Sequence, residues 1–375
     1  MRAINYVGGN LLHLITFELL CYYGSMTEKK KKLLLIKLSS LGDVIFNVPL
    51  ANALHDAGYE VTWLVSEKGI QIVENNPCVD KTILVPIKEW KKRGPSLKSF
   101  REYLTILRQL RAEKFDIAID SQMMLKSLYW MLFCGAKRRI ISKEGREFSL
   151  LGGNEWIDNI SYKPDSPIVM NYLRYANYLG IDVKPEDIKV TLPPRTDEQI
   201  KKIDYLLSNL DLSKPIVSVA PATTWVNKHW NKDNWRDVVH YLKDKSNLIF
   251  TGGPNDNELI EYISQGHGIN LAGKTDILEL AEVFSRSQLV MAPDSGSAHL
   301  AWACRNPKVI AIFTCTPKEV LGPLGDKDKY VSVGGHDLPC QTCFKRKCKL
   351  KNNKNACTYL PTSEDIIKII ESMGI

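Results

Sequence analysis

The sequence predicts an α/β protein built from two doubly wound domains that face each other across a cleft. Three observations carry that reading. At 375 residues the chain is long enough for two domains of ordinary size. Short, near-continuous Ile/Leu/Val runs alternate with longer amphipathic stretches, the pattern of a parallel sheet covered on both faces. The alternation breaks across residues 143–213 and then restarts, as expected where one domain ends and another begins.

The strand-like runs of the first half are Leu33–Leu38, Val61–Val65, Thr82–Pro86, Phe115–Asp120 and Arg138–Ser142. Helical stretches fall between them at Val44–Ala57 and at Leu97–Glu113, where Leu97, Phe100, Leu104, Leu107 and Leu110 mark one face. The break holds a helical stretch, Ile168–Leu179, and the Pro-rich Leu192-Pro193-Pro194. The second half resumes with strands at Pro215–Ala220, Asn247–Gly252, Ile269–Gly273, Leu289–Pro293, Val309–Thr314 and Tyr330–Val333. This divides the chain into an N-terminal extension (1–32), a first domain (33–190) and a second domain (205–375). The extension is apolar over residues 4–23 but interrupted by Asn10, His13 and Glu18. It reads either as an interfacial helix or as sequence upstream of a natural start at Met26.

Composition narrows the function classes. With 44% hydrophobic and 25% charged residues the chain is neither disordered nor fibrous, and nine cysteines are too few for a disulfide scaffold. The formal charge of +8 favours anionic ligands or a membrane surface without demanding nucleic acid.

Ligands of open parallel sheets bind beyond the carboxyl ends of the strands, so the loops there are the candidate sites. The first is Lys37-Leu38-Ser39-Ser40-Leu41-Gly42-Asp43: Gly42 permits a tight turn, Ser40 offers a hydroxyl, and Asp43 falls at the start of the helix, either as its N-cap or as a functional acid. In the second domain Thr223, Thr224 and Lys228 follow a strand and suit phosphate oxygens, as two hydroxyl donors and a point charge. Asp294-Ser295-Gly296-Ser297-Ala298-His299 opens a helix whose free N–H groups suit a diphosphate, with His299 either functional or a satisfied core residue. Asp256 and Glu258 follow another strand and could accept from ribose hydroxyls. Together these loops describe a nucleotide site.

Two patterns mislead. Gly268–Thr275 satisfies the G-x-x-x-x-G-K-[ST] phosphate-loop pattern, yet the apolar strand lies inside it rather than before it. Asp326-Lys327-Asp328 has the D-x-D spacing of a metal site, which a chain this long contains by chance. Cys340, Cys343, Cys348 and Cys357 are a third case, four thiols close enough in sequence for zinc or iron, or equally a reduced or disulfide-linked surface loop.

The segments KLSSLGDV (37–44), FDIAIDSQMMLKS (115–127), ATTWVNKHW (222–230), LAGKTDILELA (271–281), DSGSAHLA (294–301) and CQTCFKRKC (340–348) together resemble the ADP-heptose:lipopolysaccharide heptosyltransferases, glycosyltransferase family 9. The resemblance covers nearly everything after residue 33. It implies a B-type glycosyltransferase fold of two Rossmann-like domains, the second holding the sugar nucleotide. It implies Asp43 as general base and Lys228 as the group that stabilises departing ADP, in an inverting transfer that needs no metal. Ser40, Gly42, Thr223, Thr224, Asp256, Glu258, Asp294, Ser295, Gly296 and His299 match its donor side. Lys88, Lys91, Lys92, Lys126 and Arg146 match its acceptor side, where a phosphorylated glycolipid (Kdo-lipid A or heptosylated core) would bind. Met123-Met124 depart from the family's more frequent Gly-Leu. The implied setting is cytoplasmic and peripheral on the inner membrane. Two alternatives stay open: transfer to protein serines by a relative with a metal-binding cysteine finger, and a non-catalytic nucleotide-sugar-binding protein.

Overall fold

The structure is a computed structural model that describes residues 30–158, 166–334, 338–351 and 354–375; the expected N-terminal extension lies almost wholly outside them. Two separate sheets of six parallel strands form its frame. The first contains β1 (Lys32–Ile36), β2 (Glu60–Ser66), β3 (Lys81–Val85), β4 (Ile117–Asp120), β5 (Arg138–Ser142) and β6 (Glu155–Ile157), in the order β3-β2-β1-β4-β5-β6. Its longer helices are α1 (Leu41–Asp56), α2 (Ile87–Arg93), α3 (Leu97–Glu113), α4 (Leu125–Phe133) and α5 (Ile168–Tyr178). The second domain begins with α6 (Asp197–Leu206). It continues through β7 (Ile216–Val219), α7 (Lys232–Leu242), β8 (Asn247–Phe250), α8 (Asn257–Ser264), β9 (Ile269–Asn270), α9 (Ile277–Arg286), β10 (Leu289–Pro293), α10 (Gly296–Cys304), β11 (Lys308–Ile312), β12 (Tyr330–Val333) and α11 (Ser363–Ser372). Its sheet runs β12-β11-β10-β7-β8-β9, the same doubly wound order as the first when read from the other edge.

The central strands are apolar without alternation because both faces are covered. Leu33, Leu34, Leu35 and Ile36 of β1 are all fully buried, as are Val290, Met291 and Ala292 of β10. The expected strand at Ile269–Gly273 is shorter than its apolar run. The Asn270 side chain accepts from Ala272 N–H (2.9 Å), and Gly273, at φ +71°, turns the chain away after two paired residues. Lys274 of the phosphate-loop look-alike donates to the Asn270 carbonyl (2.9 Å), so that motif is an edge-strand turn. The linker is tied to both halves. Thr191 is held by Asn52 (3.1 Å) and Asn76 (3.0 Å) of the first domain, while Arg195 pairs with Glu282 of α9 (3.7 Å) and donates to Ser285 (3.2 Å).

The domains meet where the first turn of α1 crosses the first turn of α10. A Cβ on Gly42 would stand 2.4 Å from His299 Cδ2, and one on Gly296 would stand 2.9 Å from Leu41 Cδ2. Below them Phe46 packs on His299 (ring centroids 4.3 Å) and Trp302 (5.9 Å). His299 is 5% exposed and has little room to retreat. Gly42→Ala is therefore expected to destabilise the protein by about 1–3 kcal/mol through overpacking. A lowered urea midpoint at unchanged slope checks this; an unchanged midpoint would contradict so close an approach.

Candidate active site

Ser40 is the N-cap of α1, so Asp43 is the third helical residue and not the cap itself. Its Oδ2 accepts from Ser40 N–H (3.0 Å) and Ser40 Oγ (2.7 Å), which fixes the rotamer. Oδ1 is left facing Tyr172 OH (3.3 Å) and the Lys37 ammonium (3.8 Å). Lys37 sits one residue past β1, is 2% exposed, and donates to Ser121 O (3.0 Å) and Tyr172 OH (2.8 Å). Burial pulls the Lys37 pKa down, and Asp43 and Asp120 work against that pull. At Asp43 burial pushes upward, but Lys37, the two Ser40 bonds and His299 outweigh it and hold the carboxyl below its ordinary range. The result is an ionised acid, one third exposed, locked in orientation at the carboxyl end of the sheet.

The loop after β4 forms the adjoining wall. Asp120 is fully buried and accepts from Gln122 N–H (2.9 Å), Met123 N–H (3.0 Å) and Ser127 Oγ (2.8 Å). Its partners are mostly neutral, so burial prevails and pushes its pKa up to about 6. Gln122 Oε1 accepts from the N–H groups of Leu38 and Ser39 (both 3.0 Å), clamping this wall to the Asp43 loop. Met123, at φ +56°, occupies the left-handed region that favours glycine, the residue the family resemblance places there. Its carbonyl accepts from Arg146 N–H (3.0 Å), which brings the loop carrying Arg146 to the same rim. Lys126 donates to Ser39 Oγ (2.6 Å); desolvation, with Lys37, Lys91 and Lys68 nearby, lowers its pKa to about 8. Lys88, Lys91 and Lys92 are exposed on α2, with Lys91 close enough to act on Lys126. The acceptor-side candidates thus form one basic rim.

Across the cleft, Asp294 is 2% exposed and collects three partners from separate segments: Lys228 Nζ (2.6 Å), Thr316 Oγ1 (2.6 Å) and His299 Nε2 (3.4 Å). Burial pushes its pKa up, but His299 and Lys228 dominate and hold the carboxyl far below the usual carboxylate range. Lys228 also stands over the Trp225 ring (4.8 Å). Ser295 is the N-cap of α10, yet its buried Oγ has no partner among the described residues, and neither has His299 Nδ1. His299 is thus only half satisfied. These orphaned groups, the first N–H groups of α10 and the Lys228 ammonium make an anion-binding arrangement. Thr223 belongs to the same loop, where its carbonyl meets His229 Nε2 (2.8 Å), and Thr224 is exposed beside it.

Asp256 does something more local than the sequence suggests. It precedes α8, and its Oδ2 is taken by Gly253 N–H (2.7 Å), closing a turn; Glu258 is exposed in the next turn. Neither is linked to the Lys228–Asp294 cluster by a described contact. Cys340, Cys343, Cys348 and Cys357 are free thiols, and among the described residues no group of three or more His, Cys, Asp or Glu side chains is arranged to hold a metal. Their loop contacts both the loop of residues 223–230 and the segment after β11. Lys345 O accepts from Asn227 Nδ2 (2.8 Å), Thr314 O from Gln341 Nε2 (2.8 Å) and Cys315 O from Phe344 N–H (3.0 Å). Burial and the neighbouring cysteines push Cys357 up to about 11.

A family model described as glycosyltransferase family 9 (heptosyltransferase) matches residues 103–354, more than half of the chain. The chain belongs to this family. As a family 9 member it is a glycosyltransferase. It is similar to lipopolysaccharide heptosyltransferase 1 of Pseudomonas aeruginosa, with 25% identity over 342 residues covering 89% of each protein. In fold it matches a family 9 glycosyltransferase from Veillonella parvula (TM-score 0.76, 20% identity, 92% of this chain and 98% of that one). It also matches the E. coli heptosyltransferase WaaC with ADP-2-deoxy-2-fluoro heptose (TM-score 0.63, 22% identity, 91% and 99%). The two sheets are accordingly those of the B-type glycosyltransferase fold that the family resemblance implies.

Two site groups escape the sequence reading of this family 9 chain, Lys37 and Tyr172. Lys37 had a signal, since a lysine closing the fully apolar run Leu33–Ile36 is anomalous. Tyr172 had none, because a tyrosine on the apolar face of α5 looks like core. Replacing Lys37 by Met removes the charge that depresses Asp43. If Asp43 must be deprotonated for transfer, the acid limb of the pH–rate profile should move upward. A drop in rate without movement of that limb would instead indicate a purely structural lysine.

Proposed function

We propose that this enzyme transfers heptose from ADP-heptose to the inner core of lipopolysaccharide, with inversion and without a metal or other cofactor. The observation that carries the reading is the ionised, rigidly held Asp43 placed across a tight domain contact from the Lys228–Asp294–His299 anion site. The similar lipopolysaccharide heptosyltransferase and the relative holding an ADP-linked heptose analogue support the choice of donor and acceptor.

In this mechanism the acceptor hydroxyl lies against Asp43 Oδ1, which takes its proton as the oxygen attacks the anomeric carbon. The bond from that carbon to the β-phosphate oxygen breaks on the opposite face, and ADP departs. Lys228 neutralises the charge that grows on the diphosphate, assisted by the N-terminus of α10 and Ser295 Oγ. Thr223 and Thr224 donate to the phosphates, while Asp256 and Glu258 serve at most the nucleoside end. Gly42 and Gly296 let the two loops close over the reacting atoms. Lys88, Lys91, Lys92, Lys126 and Arg146 hold the phosphorylated sugars of a membrane-borne acceptor. The enzyme then works peripherally at the cytoplasmic face of the inner membrane; among the described residues no helix is long and apolar enough to cross it.

Asp43→Asn is expected to reduce transfer by about 10²–10⁴-fold while leaving ADP-heptose affinity nearly unchanged. Lys228→Ala should weaken both donor binding and turnover, the latter by about 10²-fold or more. Calorimetric titration of donor alongside single-turnover rates separates the two effects. The substrate itself is tested by mass spectrometry after incubation with ADP-heptose and Kdo-lipid A, monoheptosyl core or an autotransporter passenger; heptosylation of the passenger alone would overturn the glycolipid assignment.

A further inference from the structure

The cysteine-rich loop carries charge that its own sequence does not offset. From residue 338 to 362 there are six cations, Lys345, Arg346, Lys347, Lys349, Lys351 and Lys354, and no aspartate or glutamate. All six are exposed. Arg346 stands apart by what it adjoins. Its guanidinium lies over Trp225 (5.4 Å), the ring that also carries the Lys228 ammonium (4.8 Å). One indole in the loop after β7 thus gathers a cation from each of two distant segments.

The fold holds Arg346 there through its backbone neighbours. The Lys345 carbonyl accepts from Asn227 Nδ2 (2.8 Å), and Asn227 is buried one residue before Lys228. The Asn227 carbonyl accepts in turn from Thr314 Oγ1, the Thr314 carbonyl from Gln341 Nε2 (2.8 Å), and the Cys315 carbonyl from Phe344 N–H (3.0 Å). Thr316, next in the chain, donates to Asp294 (2.6 Å). Three consecutive residues after β11 therefore tie the cysteine-rich loop to the loop of Lys228 and to Asp294 itself.

The charges on this ring are unequal in what balances them. Lys228 has Asp294 (2.6 Å), whereas among the described residues no carboxylate pairs with Arg346. Two cations beside one ring repel each other unless an anion joins them. A sugar-nucleotide diphosphate carries a negative charge on each phosphate and gains another as the sugar leaves. One lysine already shared with Asp294 is a poor match for that charge, and a second cation is the simplest remedy. Arginine suits the role, because its planar fork gives parallel N–H donors to phosphate oxygens.

We infer that Arg346 is a second diphosphate-binding residue, delivered to the donor site by the cysteine-rich loop. It meets the phosphates from the Trp225 side while Lys228 meets them from the Asp294 side. The inference rests on the proposed sugar-nucleotide donor, but its test needs no transfer. The full chain is titrated calorimetrically with ADP and with inorganic pyrophosphate. Native protein is compared with Arg346→Ala, Arg346→Lys and a neighbouring control, Lys347→Ala/Lys349→Ala. Arg346→Ala should bind both ligands about tenfold more weakly, and Arg346→Lys should recover only part of that loss. The control should bind both like the native protein, and the melting temperature of unliganded Arg346→Ala should equal the native one. Native-like ADP and pyrophosphate binding by Arg346→Ala would overturn the inference. So would an equal loss in the control, which would mean a diffuse field, or a lowered melting temperature with full recovery of binding in the cold, which would mean a structural role. Failure of the native chain to bind either ligand would overturn it as well. Binding that depends on Arg346 without any heptose transfer counts against the proposed reaction alone; heptose transfer with binding indifferent to Arg346 counts against this inference alone.

Discussion

Everything in the cleft depends on the lack of a side chain at position 42. The first turns of α1 and α10 touch only because Gly42 lets the His299 ring come within what would be a Cβ radius, and Gly296 admits Leu41 from the other side. That contact brings together two helix N-termini from different domains, and both sit at the carboxyl ends of parallel strands. Asp43 rides on one helix; Asp294 and Ser295 precede the other. The distance between an acid and an anion site is thus fixed by backbone packing and not by long flexible side chains, which is how a scaffold keeps reacting groups in register.

Three buried or half-buried carboxylates show how environment assigns different work to one functional group. Asp294 accepts from a lysine, a histidine and a hydroxyl and stays ionised. Asp43 is held by serine donors and opposed to an ammonium, with the same outcome. Asp120 is equally deep but accepts from two backbone amides and a serine, and its pKa climbs to about 6. Because its pKa is raised in the folded state, ionising Asp120 costs stability as pH rises through that value, opposite in sign to Asp294. Its role is to shape the loop that carries Gln122 and Lys126. The ionised pair belongs to the cleft.

The fold was legible because parallel strands buried on both faces have an unmistakable pattern, and Leu33–Ile36 and Leu289–Ala292 display it without interruption. The candidate site was legible to the extent that loops after strands carry it: Asp43, Lys228, Asp294 and Ser295 stand in the loops that the strand pattern singles out. What spacing does not encode is side-chain geometry. Asp256 has the right chemistry in the right loop but spends a carboxylate oxygen on Gly253 N–H, a turn closure that no pattern of residue types announces. The four cysteines left zinc, iron or a plain surface loop open in sequence; what their spacing could not announce is that their loop buttresses Asn227 and the segment after β11. Tyr172 comes from a helix more than a hundred residues after Lys37 and reaches it only through the fold.

That buttress has an optical consequence. Trp225 lies in the loop after β7 with the Lys228 ammonium 4.8 Å and the Arg346 guanidinium 5.4 Å from its ring, one cation from the Asp294 cluster and one from the cysteine-rich loop. Indole emission responds to the charge beside the ring. Any anion that draws Lys228 off Asp294 must alter the field at this one indole, whereas Trp63, Trp235 and Trp302 are sealed in the core. The molecule carries its own fluorophore beside the Lys228–Asp294 pair.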